Sequence, residues 1–141
     1  MSIDTPAFPK AAAEESSVTE VLDRVLEGHR PRYLFYCLLL YPNPVRLPMI
    51  ADQVTVWERA RSDTSLSFDR HRLRVYNALY HDYLPALREV ELVTYQQTGD
   101  SAALGSAATG HTERLRERLA RELPGLLEAE ADAIEASRRD Y

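Results

Sequence analysis

With 141 residues, 45% of them hydrophobic and 5 of them glycine, the chain can bury one core but is too short for two comfortable domains. Its net charge is −5, and its single cysteine, Cys37, sits inside an apolar run, which excludes an intramolecular disulfide and argues against a thiolate metal site. That run, 33–41 (YLFYCLLLY), falls far short of the roughly 20 residues of a membrane-spanning helix. Residues 1–17 lack the basic start and apolar stretch of a secretion signal, so a cytoplasmic protein is expected.

Residues 1–16 have no periodicity and read as a loose tail. Ser17-Val18-Thr19-Glu20 forms a capping box, and Val18, Val21, Leu22, Val25 and Leu26 then recur at helical spacing until Gly28. Pro31 suits the first turn of a second helix over about 31–40, which Pro42-Asn43-Pro44 ends. After the extended stretch 45–47, Pro48 opens a third helix to about Ala60, with Ile50, Ala51, Val54 and Trp57 on one face.

Residues 61–65 read as a loop, and Ser67 caps a fourth helix over about 68–90. Leu73, Tyr76, Tyr80, Tyr83, Leu84 and Leu87 are its expected core stripe, and Pro85 should kink or split it. Residues 92–96 alternate as a strand, 98–101 are turn chemistry and 102–104 return as a weak second strand. The small-residue stretch 105–110 reads as a linker, and 111–141 as a charged helical segment interrupted at Pro124-Gly125.

This order predicts a mainly α fold with a small β-hairpin: a winged helix-turn-helix domain over 17–104 plus a C-terminal helical extension. The stretch LYHDYLPALREVELVTY (79–95) resembles the end of the recognition helix and the first wing strand of archaeal winged-helix regulators. RPRYLFYCLLL and LPMIADQVTVWE resemble the two preceding helices. More narrowly, residues 18–100 resemble a haloarchaeal winged-helix domain family of unassigned function. The resemblance implies that fold and a DNA-binding role, and brings no target or ligand. Lys10 is the one lysine among 17 basic residues, an arginine bias that fits a GC-rich, salt-adapted source.

Charge is partitioned along the chain. Residues 1–28 hold 6 acids and 2 bases (−4), 29–96 hold 7 and 9 (+2), and 97–141 hold 9 and 6 (−3), so a polyanion would meet the middle. At about 100° per residue, Arg70, Arg74, Asn77, His81 and Arg88 project from one side of the fourth helix. Arginine and asparagine there match the donor and acceptor edges of guanine and adenine in the major groove of double-stranded DNA. His71 and Arg72 are placed for backbone contacts, and Gln96 and Gln97 for contacts from the hairpin.

Two features weigh against a simple regulator. The loop before the fourth helix exceeds the usual three- or four-residue turn, and +2 is a weak electrostatic footprint. Leu115, Leu119, Leu123, Leu127 and Ile134 form a seam for a homodimer, or alternatively pack over the first helix of the same chain. No G-x-S-x-G elbow, phosphate loop, H-E-x-x-H or paired-cysteine motif is present, and the four histidines lack ligand spacing; no enzyme, cofactor or metal is expected. The rival reading is a winged-helix module that binds another protein without DNA. A third, a sensor with a ligand between the core and the C-terminal segment, finds no polar cluster to mark a pocket.

Overall fold

The computed structural model describes residues 18–139. In chain order the elements are α1 (Val18–Glu27), α2 (His29–Leu40), β1 (Val45–Arg46), α3 (Leu47–Arg61) and α4 (Phe68–Asn77). A π-helical turn (Ala78–Tyr83) follows, then α5 (Leu84–Glu89), β2 (Val93–Gln96), β3 (Ser101–Leu104), a 3-10 helix (Ser106–His111) and α6 (Thr112–Arg139). The chain is mainly helical with a three-stranded antiparallel sheet. The expected tail over 1–16 and the Ser17 cap lie outside the described residues.

Helix α2 is the centre of the core. Every residue from Pro31 to Leu38 is buried, because α1, α3 and α6 cover it. Arg32 lies within this run and is not stranded there: its Nη1 donates to the Leu26 carbonyl, and Nε and Nη2 donate to Glu122 of α6. Val21, Leu22 and Val25 of α1 and Ile50, Val54 and Trp57 of α3 supply the facing apolar surface. No buried side-chain nitrogen or oxygen among the described residues is left without a partner.

The hairpin expected over 92–104 is present, and the extended stretch at 45–47 adds a strand to it. β1 pairs with β3 (Val45 opposite Ala102) and β3 with β2, giving the order β1-β3-β2. The sheet closes against the 3-10 helix at Gly105. Its N–H donates to Leu92 O at 2.8 Å, and a Cβ there would lie 2.2 Å from Glu91 O. Glycine is the residue that permits this backbone approach. The segment expected as a linker, 105–110, is thus tied to the end of α5 and buries Ala108.

Pro85 does not break the fourth helix. Proline offers no N–H and its ring collides with the carbonyl four residues back, so the helix widens by one residue ahead of it. Leu84 N–H accordingly donates to Leu79 O, five residues earlier. The expected core stripe also shifts. Tyr83, Leu84 and Leu87 are buried as expected, but Leu73 is 59% exposed, and Val75 and Leu79 are the residues that reach the core. Val75, one β-branched residue in a run of arginines, carries too little apolar weight to set the phase by itself.

Candidate nucleic-acid interface

The outer face of α4 and its π turn carries Arg70, Leu73, Arg74, Asn77 and His81, all exposed. Four of the polar residues expected there are therefore on one continuous surface. The fifth, Arg88, lies beyond the π turn, where one inserted residue rotates the phase by about 100°. Its guanidinium sits over the Tyr95 ring at 5.7 Å, between helix and hairpin.

His71 is placed differently from the expectation of a backbone-contacting side chain. It is buried, and its Nε2 lies 2.8 Å from Glu58 Oε1 while Nδ1 faces Arg59 Nη1 at 3.4 Å. A guanidinium can only donate and an ionised carboxylate can only accept, so Nε2 carries the hydrogen and Nδ1 is the acceptor. His71 is a bolt between α4 and α3, facing away from the surface that its neighbours Arg70 and Leu73 share. Arg72 is drawn sideways along the surface: its side chain stays 40% exposed and pairs with the exposed Asp52 of α3 at 3.4 Å.

Glu58 gathers the elements behind the exposed face. Arg30 grips it with Nε on Oε2 at 2.7 Å and Nη2 on Oε1 at 2.8 Å, and His29 adds a third donor at 3.1 Å. Burial would push the Glu58 carboxyl up, but the hydrogen bonds from Arg30, His29 and His71 outweigh it and hold the carboxyl far below the usual range. The long loop before α4 is fixed by the same corner. Arg59 Nη1 donates to Leu66 O, the Ser62 hydroxyl donates to Glu58 O, and Ser67 Oγ accepts from Arg70 N as the expected cap. Arg59 further stacks over Phe68.

At the other end, the hairpin is clamped to the helix. Tyr76 and Tyr95 donate to the two oxygens of Asp100 at 2.6 and 2.5 Å, and Tyr80 stacks on Tyr76 while meeting Tyr95 edge-on. Asp100 has φ 47° at the hairpin turn, a left-handed conformation that aspartate tolerates better than most residues. Between helix and hairpin runs a groove of 270 Å³ lined by Tyr80, His81, Pro85, Arg88, Tyr95 and Gln97. Gln96 and Gln97 are both exposed, and Gln97 faces this groove.

The expected seam on the C-terminal segment divides in two. Leu115 and Leu119 are buried in the core of the same chain, with Leu126, and Leu123 is half-buried against it. These three expected dimer residues pack in cis because Tyr36 and Arg32 hold Glu122, and Trp57 and Gln53 hold Glu130, so α6 lies along α2 and α3. Arg114 adds an ion pair to Asp23 of α1. Leu127 and Ile134 remain 52% and 50% exposed.

Sequence reasoning missed Glu58, Asp100, Glu122 and Glu130, each of which ties elements 24 to 90 positions apart. The signals were indirect: a buried arginine and a buried indole N–H both require acceptors, without saying where in the chain these lie. Among the described residues, no group of three or more His, Cys, Asp or Glu is arranged to hold a metal ion, and no helix is long and apolar enough to cross a membrane.

These features define a class, a small mainly helical chain in which a three-stranded sheet buttresses an exposed polar helix. The chain belongs to the family described as Domain of unknown function (DUF7344), whose model matches residues 23–103, from the middle of α1 into the last strand of the sheet. No curated protein and no solved structure matches the chain.

Proposed function

We propose that the chain is a sequence-specific, DNA-binding transcriptional regulator of winged helix-turn-helix type, acting in the cytoplasm as a homodimer and without catalysis. The observation that carries this reading is the face of Arg70, Arg74, Asn77 and His81. All four are exposed on one side of α4 and its π turn, while Val75 and Leu79 anchor the opposite side. An α-helix fits the major groove, where Arg74 and Asn77 match guanine and adenine, and the exposed Leu73 among them suits a thymine methyl. Gln96, Gln97 and Arg88 approach from the hairpin side, with the groove between helix and hairpin as a seat for a phosphate.

The element order supports the winged assignment. Helices α2, α3 and α4 correspond to the three helices of that plan, β1 falls between the first two, and β2–β3 forms the wing. The loop from 62 to 67 is long for the motif, but the Glu58–His71 and Arg59–Leu66 bonds fix how α4 leaves it.

The homodimer is assigned to the exposed strip of α6. Leu127 and Ile134 lie seven residues apart, two turns, on one side of α6. A second α6 packed antiparallel on this strip would set Leu127 of each chain against Ile134 of the other and cover both.

Fluorescence anisotropy with duplex DNA over a potassium chloride series tests the proposal. Binding should weaken with salt, and an Arg74→Ala, Asn77→Ala double variant of unchanged fold should lose about tenfold or more in affinity. If the parent binds no duplex at any salt, the protein-interaction reading takes over; the exposed Leu73 and the small +2 charge of residues 29–96 favour it as the alternative.

A further inference from the structure

We propose that the cleft bounded by α2, the α3–α4 loop and α6 is a binding site for a small anion of carboxylate or phosphate chemistry. The cleft measures 510 Å³ and is lined by His29, Arg30, Glu58, Arg61, Thr64 and Glu122, among others. That is within the range of small-molecule sites. Sequence order concealed it, since the lining comes from segments up to 93 positions apart.

Hydrogen-bond capacity decides the sign of the ligand. Oε1 of Glu58 already accepts from Arg30 and His71, and Oε2 from Arg30 and His29. Glu122 accepts twice from Arg32 and once from Tyr36. Glu58 is thus saturated and Glu122 keeps one of about four acceptor positions, so a cation could gain no more than that one position without breaking those bonds.

Donors are in surplus instead. Arg30, Arg32 and Arg61 stand against Glu58 and Glu122, which leaves +1 with both imidazoles neutral. Arg61 is exposed and, among the described residues, makes no ion pair. The Thr64 hydroxyl accepts from Leu66 N and keeps its own hydrogen to donate. A carboxylate or phosphate seated on the Arg61 fork and the Thr64 hydroxyl would meet the positive side of a concave surface. Through Glu58 and His71 the same surface leads directly to the first turn of α4.

Calorimetric titration of the full chain with inorganic phosphate and, separately, with citrate at constant ionic strength tests the site without DNA. Its failure is therefore distinct from failure of the DNA-binding reading. Saturable one-to-one binding is expected for at least one probe, weakened about tenfold by Arg61→Gln and unchanged by Arg116→Gln on the exposed side of α6. Binding of phosphate alone assigns a phosphoryl ligand, of citrate alone a polycarboxylate, and of both the shared anion chemistry. No saturable binding, or equal effects of the two substitutions, overturns the proposal.

Discussion

The hydroxyl of Tyr76, in the last turn of α4, donates to the carboxylate of Asp100 at the hairpin turn at 2.6 Å. Tyr95 takes the second oxygen, so one side chain fixes the angle between helix and hairpin. An Asp100→Asn chain tolerates the positive φ and keeps one acceptor oxygen, but both tyrosines lose the charged partner and one of them loses its acceptor. The expected loss is about 1–2 kcal/mol in urea denaturation, with the hairpin free to move relative to α4. The bond to Asp100, with burial, pushes the Tyr76 hydroxyl up to about 12. Its contribution to stability should therefore be complete below pH 10 and disappear as pH rises through about 12; in Asp100→Asn, tyrosinate absorbance should develop at lower pH.

Gly105 is the position least able to accept a side chain. A Cβ 2.2 Å from Glu91 O would collide with backbone, which cannot rotate away as a side chain can. Gly105→Ala should lose about 3 kcal/mol, the upper part of the overpacking range, read as a lower denaturation midpoint.

Acid should open the Glu58 corner. Its carboxyl and that of Glu122 are both held below their ordinary value, so each stabilises the fold fully above about pH 4.5 and progressively less as pH falls further. Glu58→Ala should cost about 3 kcal/mol at pH 7, because it strands Arg30 and His71 together, and should make the acid limb of the stability profile less steep. A profile as steep as that of the parent would place the acid-sensitive group elsewhere.

The division of α6 determines how its dimer is probed. A chain ending at Gly110 loses Leu115, Leu119 and Leu126 from the core and is expected to unfold. A Leu127→Glu, Ile134→Glu variant changes exposed positions alone and should sediment as a folded monomer where the parent sediments as a dimer. A folded variant that remains dimeric would remove α6 as the interface.

Local patterns in the sequence reached as far as local physics does. The Ser67 cap, the helices near 31–40 and 47–61 and the hairpin follow from capping, proline placement and alternation within a few residues. The pattern alone sets the apolar stripe of α4 off phase, since Leu73 and the tyrosines outweigh Val75 in any apolar tally, yet the exposed positions of Arg74, Asn77 and His81 survive that shift. His71 could not be told from its arginine neighbours because its partner, Glu58, is defined by the α3–α4 crossing. Leu115 and Leu119 read as a free seam for the same reason: Glu122 and Glu130 anchor α6 to residues 73 to 90 positions away.

The most direct test of the central claim is backbone NMR of the full chain during titration with duplex DNA. The account predicts the largest shift changes in residues 70–81 and in 95–97 at the hairpin, with little change along the distal half of α6. Saturable duplex binding whose shift changes avoid Arg74, Asn77 and His81, or a complete lack of change at low salt, would contradict it.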